Sequence, residues 1–296
     1  MKTGFAFGMK VLLIGYRGQL GSDLRLAFEG EDLTLAGRED VLVQDAEQVD
    51  AIVNAARPDL ILNCSAFHVV DECEERPEEA FAVNLFGVGN LARAARRAGA
   101  VLVHFSTDYV FDSERRTPYV ESDAPCPKCV YGVSKAAGEL LLAATWEKHF
   151  IFRVSGLYGY AGSRVKGANF VEMMIEQARL GKPLRVVNDQ RLTPTSTRDV
   201  ATAVRRVTST TAWGLYHLTN AGECSWYEFA CAIFELTGMH PDISPVNSDS
   251  IPTKARRPRY SVLDNFRLRS EGFDDLPHWR DALARYLAGR AAAGRD

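Results

Sequence analysis

The sequence has no apolar run that approaches the length of a membrane-spanning helix. Its longest runs, such as residues 11–14 and 140–145, fall far short of the roughly 20 residues that a bilayer requires. Residues 1–8 hold one lysine and an apolar stretch too short for a secretory signal, which is typical of a frayed extension or an alternative start before Met9. We therefore expect a cytoplasmic protein that has no membrane partner.

Charge of one sign is also scarce. The 296 residues carry 35 basic and 38 acidic side chains, a formal net charge of -3, without a long like-charged block. Nucleic-acid binding uses a basic patch or arm, so we expect no nucleic-acid partner. With 46% hydrophobic residues, the chain can bury a sizeable core in one large domain or two modest ones.

Cysteine is too sparse for a disulfide-stabilised scaffold, since six cysteines are spread over the whole chain. Cys126 and Cys129 form the single C-x-x-C pattern. A zinc site would need two further ligands, and no Cys or His pair stands at a suitable spacing. We interpret this pattern as a loop before Tyr131 and predict no metal site.

The sequence does contain a repeated alternation of short apolar runs and helical patterns. Strands are predicted at 10–14, 33–36, 60–64, 101–106, 150–154 and 214–219. Helices are predicted at 20–28, 46–56 with Asp45 as its cap, 82–98, 134–144 and 194–206. This β-α-β order predicts an α/β fold with a doubly wound parallel sheet, whose ligands lie beyond the carboxyl ends of the strands.

The texture of the sequence changes after Tyr158, where glycine and charged residues increase and predicted strands become fewer. We expect residues 9–158, with 195–220 returning to the sheet, to form a nucleotide-binding domain. Residues 159–194 and 221–296 are expected to form a smaller substrate-binding region.

A glycine loop, Gly15-Tyr-Arg-Gly18-Gln-Leu-Gly21, stands between the first strand and the first helix. Glycine allows a tight turn and close approach of a pyrophosphate, and the helix N-terminus attracts its negative charge. Turns also use glycine without any ligand. The position after the first strand favours dinucleotide binding by the residues of this loop: Gly15, Arg17, Gly18, Gln19, Leu20 and Gly21.

The second strand ends in Ala36-Gly37-Arg38, with no carboxylate at the position that usually holds the ribose of NAD. Arg38, with Arg17, could pair with a 2'-phosphate. This favours NADP(H), with NAD(H) as the alternative. Both arginines could equally be solvated surface residues.

Tyr131 and Lys135 have the spacing that places two side chains on one face of a helix. A nearby ammonium lowers the pKa of a phenol, which makes the tyrosine a usable general acid or base. This pattern also occurs by chance in many helices. Its weight comes from following a nucleotide loop in the same predicted sheet.

Ser106-Thr-Asp-Tyr-Val-Phe111 begins at the carboxyl end of a predicted strand. A hydroxyl at that position can hydrogen-bond a substrate carbonyl and stabilise the charge that its oxygen gains. A local turn held by Ser or Asp is the alternative interpretation.

With these segments in order, the chain resembles the extended short-chain dehydrogenase/reductases and, within them, the dTDP-4-dehydrorhamnose reductase family. The resemblance runs nearly end to end. It is carried by Gly18-Gln-Leu-Gly21, Asn63-Cys-Ser-Ala-Phe67, Val70-Asp71, Ala82-Val-Asn84, Ser106 to Asp112, Tyr131 to Lys135, Gly138-Glu139, Arg153-Val-Ser155, Asp189-Gln190, Pro194-Thr195, Arg256-Arg-Pro258 and Ser261-Val-Leu263.

The resemblance implies a Rossmann fold and a catalytic triad of Thr107, Tyr131 and Lys135, with Thr107 rather than Ser106 facing the substrate. It further implies hydride transfer from the nicotinamide to the C4 ketone of a nucleotide-linked 6-deoxyhexose, converting dTDP-4-dehydrorhamnose to dTDP-L-rhamnose. Tyr131 would donate the proton, and Lys135 would hold the nicotinamide ribose. A homodimer is the candidate assembly.

Further site residues also follow from the resemblance. Ser65, Ala66, Phe67 and Asn84 would bind the cofactor, together with Tyr131 and Lys135. Val70, Thr107, Asp108 and Tyr109 would line the sugar pocket. Arg257 would bind the substrate phosphates, because its fork of donors suits a diphosphate, although it could also be a surface charge.

The sequence departs from the family pattern at four positions. Gly156 stands near the place of a tryptophan that commonly packs on the sugar, and His68 replaces a small hydroxyl residue. We interpret His68 as a polar lining residue rather than a catalytic one. Ser113 replaces a glycine, and Leu42 replaces an acidic residue. These changes leave the redox residues intact and leave the identity of the sugar open.

Two other functions are compatible with the same motifs. One is a nucleotide-sugar epimerase or dehydratase, although dehydratases usually carry Asp-Glu after the threonine and here Thr107 is followed by Asp108-Tyr109. The other is a non-catalytic NAD(P)-binding module, like the regulatory subunit of methionine adenosyltransferase. Retention of Tyr131 and Lys135 favours the enzyme.

Overall fold

The computed structural model of the chain describes residues 8–161 and 167–292. Residues 1–7 lie outside the described residues, as do residues 162–166 and 293–296 of the predicted substrate-binding region. The first half of the chain alternates strands and helices as the sequence predicts. Its elements are β1 (Lys10–Ile14), α1 (Gln19–Ala27), β2 (Asp32–Ala36), α2 (Ala46–Ala56), β3 (Leu60–Asn63), α3 (Val70–Glu75), α4 (Pro77–Phe81), α5 (Val88–Ala98), β4 (Val101–Thr107), α6 (Val130–Thr145) and β5 (His149–Val154).

The second half contains shorter strands and more loops. Its elements are β6 (Leu157–Tyr158), α7 (Phe170–Arg179), β7 (Leu184–Val187), β8 (Arg191–Leu192), β9 (Thr195–Ser196), α8 (Thr197–Val207), β10 (Gly214–His217), β11 (Cys224–Ser225), α9 (Trp226–Thr237), β12 (Ile243–Val246), α10 (Phe266–Ser270) and α11 (Trp279–Ala292).

The main sheet is six-stranded and parallel, in the order β10-β5-β4-β3-β1-β2. Because β1 lies between β2 and β3, the strand order reverses there, and a crevice opens at the carboxyl ends of these strands. One hydrophobic cluster packs on each face of the sheet. The predicted α/β doubly wound fold is confirmed.

The smaller C-terminal region has an apolar cluster of its own, which includes Tyr158, Val171, Phe229 and Leu283. Its helix α9 begins with a capping box, in which Ser225 and Glu228 each bond the backbone N–H of the other. This places Trp226 at the first position of the helix. In the part of the chain that is described, no helix is long and apolar enough to cross a membrane.

Several helices begin at other residues than predicted, among them α8, which starts at Thr197 rather than at 194. Helix α6 begins four residues before the predicted 134, because the Cys129 thiol caps it by accepting from the N–H of Gly132. The predicted 82–98 helix starts earlier, as α4, and passes through a π-helical turn at Ala82–Gly87 before α5. A side chain at Gly138 would overlap the carbonyl oxygen of Asn84, so α6 packs directly on this turn.

Candidate active site

A cavity of about 1970 Å³ opens at the carboxyl ends of the parallel strands and extends into the C-terminal region. It brings together almost every predicted site residue, from sequence positions more than 200 residues apart. The residues that line it include Gly15, Arg17, Gly18, Gln19, Leu20, Gly21, Arg38, Ser65, Ala66, Phe67, Val70, Thr107, Asp108, Tyr109, Tyr131, Lys135 and Arg257. The parallel sheet explains this convergence, because all its strands end at the same edge.

The glycine loop has the geometry of a phosphate cradle. Gly15 has φ of +79°, in the left-handed region that favours glycine. A Cβ at Gly21 would overlap the carbonyl oxygen of Gly15, so the loop can fold onto α1 only without that atom. Gly18 is the N-cap of α1 and has no side chain to occupy the first N–H groups. These groups fit the pyrophosphate of a nicotinamide dinucleotide.

The residues after β2 and the neighbouring Tyr16 provide partners for Arg17, whose role in cofactor binding stays a prediction. Its guanidinium pairs with Glu39 and its Nε donates to the Tyr16 hydroxyl at 2.7 Å. Glu39 and Asp40 directly follow Arg38, and Asp40 accepts from the N–H of Gly37 at 2.7 Å. Arg17 therefore already has a counter-ion, whereas Arg38 lines the cavity as the second predicted cation.

Tyr131 lies in the first turn of α6 and packs edge-on against Tyr109, with ring centroids 5.7 Å apart. Burial raises the pKa of Tyr131, and a hydrogen bond with Thr107 opposes that rise. The sequence predicted that Lys135 lowers the pKa of this phenol. The Nζ of Lys135 contacts strand β4, and its effect on the pKa of this phenol stays a prediction.

Lys135 is buried and contacts two groups of β4. Its Nζ lies 2.6 Å from the carbonyl oxygen of Phe105 and 3.0 Å from Nε2 of His104. Burial lowers the pKa of Lys135 to about 8, although the charges of Glu139 and Cys64 act in the opposite direction. The lysine can therefore change its charge near neutral pH.

Asp108 lines the cavity and bonds the hydroxyl of Thr107. Its Oδ1 accepts from the Thr107 hydroxyl at 2.9 Å and its Oδ2 from Ser155 at 2.9 Å, while Ser261 bonds it as well. Burial raises the pKa of Asp108, and these three hydroxyls counteract the effect. Both carboxylate oxygens of Asp108 thus have protein partners, which lets Asp108 orient Thr107, and its place in the sugar pocket stays a prediction.

Asn84 is the predicted cofactor residue that does not line the cavity within the described part of the chain. Its side-chain amide holds the backbone of Phe67. Oδ1 accepts from the Phe67 N–H at 2.9 Å, and Nδ2 donates to the Phe67 carbonyl oxygen at 2.9 Å. It also donates to the Ser134 hydroxyl at 3.0 Å. Asn84 therefore supports the loop 64–68 that faces the cavity, and its predicted contact with the cofactor stays a prediction.

Arg257 lies at the far end of the cavity, where its Nη2 donates to Asp71 at 3.0 Å. Burial favours the acid form of Asp71, but hydrogen bonds from Ala255 and Arg257 prevail and lower its pKa. Among the described residues, the buried Nε of Arg257 has no hydrogen-bond partner. One donor of the guanidinium thus lacks a protein partner among the described residues.

The aromatic residue that the sequence lacks at position 156 cannot be accommodated there. Gly156 has φ of +54°, and a Cβ would lie 2.8 Å from Cδ1 of Leu192. The cavity instead has Phe170 and Trp226 in its C-terminal part, with ring centroids 4.6 Å apart. Sequence reasoning missed this pair, because neither residue belongs to a recognisable motif and they are 56 positions apart.

The other departures also face this cavity. His68 lines it, with Nδ1 3.4 Å from the carbonyl oxygen of Ala66. Ser113 has φ of +64°, in a region where glycine is favoured. In the described residues, no cluster of three or more His, Cys, Asp or Glu side chains could hold a metal ion.

A parallel sheet with a glycine loop after β1, and a tyrosine and lysine beside it on α6, defines an NAD(P)-dependent oxidoreductase of the short-chain dehydrogenase/reductase class. A family model described as the RmlD substrate binding domain matches residues 9–291. The chain belongs to this family, that of the dTDP-4-dehydrorhamnose reductases.

Individual relatives cover nearly the whole chain. It is 40% identical over 286 residues to the spore coat polysaccharide biosynthesis protein SpsK of Bacillus subtilis, covering 96% of this chain and 99% of that protein. It is 37% identical to a dTDP-4-dehydrorhamnose reductase of Burkholderia thailandensis, covering 93% and 97%. A dTDP-4-dehydrorhamnose reductase from Bacillus anthracis, solved in complex with NADP, superposes with a TM-score of 0.92 at 35% identity, covering 95% and 99%.

Proposed function

We propose that the chain reduces the C4 ketone of dTDP-4-dehydrorhamnose to give dTDP-L-rhamnose. The observation that carries this proposal is the convergence of Thr107, Tyr131 and Lys135 on the cavity that the glycine loop also lines. The Burkholderia relative, a dTDP-4-dehydrorhamnose reductase, supports the choice of substrate.

When bound, the reduced nicotinamide would supply a hydride, a proton together with two electrons, to the C4 carbon. Tyr131 supplies the proton to the oxygen of the same carbonyl, and the C=O double bond becomes a hydroxyl. The ring of Tyr109 packs edge-on against the half-buried Tyr131, and burial favours the neutral phenol that carries the proton for the substrate. Thr107 holds the phenol, and Asp108 holds Thr107.

The cavity also suggests how the two halves of the substrate are bound. Cationic side chains gather at its C-terminal end: Arg185, Arg191, Lys254, Arg256, Arg257 and Arg259. Arg191, Lys254, Arg257 and Arg259 are paired with carboxylates, which fixes their positions. A diphosphate would fit beside Arg257, whose Nε is unpaired among the described residues.

NADPH is the proposed reductant, with NADH as the alternative, since Arg38 lines the cavity after β2. We also propose residues 9–158 with 195–220 as the nucleotide-binding domain, and 159–194 with 221–296 as the substrate-binding region. A homodimer and a cytoplasmic location stay predictions.

The test combines purified protein, NADPH and dTDP-4-dehydrorhamnose. We expect one NADPH to be oxidised for each sugar converted, with dTDP-L-rhamnose as the product by chromatography and NMR. A Tyr131→Phe variant should bind NADPH normally and lose reduction. An epimerase would instead convert the sugar while its tightly bound cofactor stays unchanged, and a binding module would give no conversion.

A further inference from the structure

A buried chain of polar side chains runs beneath the cavity from Ser65 to Lys135. The Ser65 N–H and hydroxyl both donate to Oδ1 of Asn63, at 3.0 and 2.5 Å. Nδ2 of Asn63 lies 3.2 Å from Nδ1 of His104, and Nε2 of His104 lies 3.0 Å from Nζ of Lys135. Neither Asn63 nor His104 was singled out from the sequence as a residue that acts on the catalytic lysine.

The backbone N–H of Ser65 fixes which groups donate and which accept along this series of hydrogen bonds. The N–H of Ser65 can only donate, so the side-chain atom of Asn63 that faces it must be the oxygen. The Asn63 amide therefore turns its nitrogen towards His104, and this nitrogen can only donate. Nδ1 of His104 must then accept, which means that it carries no proton.

His104 is fully buried, and burial together with the charge of Lys135 lowers its pKa well below the usual range. The ring is therefore neutral and keeps a single proton, on Nε2. This N–H points at Nζ of Lys135, and an ammonium has no lone pair to receive it. A neutral amine can accept from Nε2 and still donate to the carbonyl oxygen of Phe105 at 2.6 Å.

The other groups around Lys135 do not prevent its ammonium from losing a proton. Glu139, one turn further along α6, favours the ammonium, but its carboxylate is bound by Arg153 through bonds of 2.6 to 3.2 Å. Cys64, at the end of β3, is the other titratable neighbour, and burial raises the pKa of its thiol, so it stays uncharged. Burial is the largest influence on Lys135 and lowers its pKa to about 8.

We propose that His104 is a positioning residue that favours the neutral amine of Lys135 over its ammonium form, and that Asn63 imposes this preference by fixing the imidazole tautomer. The inference rests on the proposed reductase function for its consequence. The ammonium form of Lys135 must give up its bond with His104, so Asn63 and His104 set the pH above which reduction declines.

The direct test is the tautomer of His104, read by 15N NMR of the full-length protein labelled in histidine. A His104→Gln variant assigns the signal. We expect Nε2 to be protonated and Nδ1 to be free of a proton at neutral pH. A protonated Nδ1 overturns the proposal.

Asn63→Asp inverts the direction of the chain, because a carboxylate accepts from both Ser65 and His104. We expect the proton to move to Nδ1, and the falling alkaline limb of kcat/KM to shift to higher pH by about one unit or more. Ser65→Ala is the matched control, since the backbone N–H still orients Asn63 and the tautomer should not change. If the limb shifts while the tautomer stays, the added charge alone explains the result and the proposal is wrong.

The two proposals can fail separately. The tautomer is measured without substrate, so it stands even if the protein does not reduce dTDP-4-dehydrorhamnose. Conversely, normal reduction with the opposite tautomer removes only the role of His104. Should Asn63→Asp not fold, the tautomer of the wild-type protein still decides the question.

Discussion

Thr107 donates its single hydroxyl proton to Oδ1 of Asp108, 2.9 Å away. Its lone pairs are therefore free to accept, and they do so from the N–H of Tyr109 at 3.2 Å. The same hydroxyl is hydrogen-bonded to Tyr131. Asp108 thus orients the hydroxyl with which the threonine meets the phenol.

Replacing Asp108 should lower kcat without weakening the binding of NADPH. In Asp108→Asn the amide presents a donor to one of three hydroxyls, so we expect Thr107 to reorient and kcat to fall about tenfold, the effect of about one hydrogen bond. KM for NADPH should change little. Steady-state kinetics measure both, and Ser155→Ala, which removes one remote hydroxyl, is the control. An unchanged kcat in the Asn variant would contradict the role of Asp108.

Burial of Lys135 should make the protein more stable at high pH. The pKa of Lys135 is lowered from 10.5 to about 8 on folding, so the unfolded chain binds more protons between these values. The buried lysine costs up to about 3 kcal/mol below pH 8, and this cost fades as the pH approaches 10.5.

Lys135→Met therefore gives a measurable difference. We expect its stability relative to the wild type to be higher at about pH 7 than at about pH 10. Urea unfolding of both proteins at the two pH values gives the comparison, which cancels the titration of other groups. A pH-independent difference would show that folding does not lower the pKa of Lys135.

Gly21→Ala should damage the cofactor site. A methyl group there would overlap the carbonyl oxygen of Gly15, and backbone must move to relieve it. We expect a loss of about 1–3 kcal/mol in stability and weaker binding of NADPH. Gly30→Ala is the matched control, since no described atom lies within 4 Å of a Cβ there. Thermal melts with and without NADPH report both effects, and equal behaviour of the two variants would count against the loop.

Cofactor choice should depend on Arg38 and Glu39. Arg38→Ala removes a cation from the cavity, so we expect KM for NADPH to rise about tenfold while KM for NADH stays nearly constant. Glu39→Gln frees Arg17 and should lower KM for NADPH. If neither variant changes the KM for NADPH relative to the KM for NADH, the 2'-phosphate is bound elsewhere.

The sequence predicted the sheet and the gathering of motifs because these are local. Apolar strands and the glycine loop follow from neighbouring residues, and parallel strands bring their ends together. It could not predict that Arg17 pairs with Glu39 or that Asn84 bonds Phe67, since both depend on loop geometry. The contact of Lys135 with His104 was missed because it joins a helix to a strand 31 positions away.

The transfer of deuterium from labelled NADPH tests the central claim most directly. The protein is incubated with dTDP-4-dehydrorhamnose and NADPH that carries deuterium at the transferable position of the nicotinamide, and the sugar is examined by NMR. The account predicts deuterium on C4 of the product, with none transferred by Tyr131→Phe. A product formed without deuterium at C4 would contradict it.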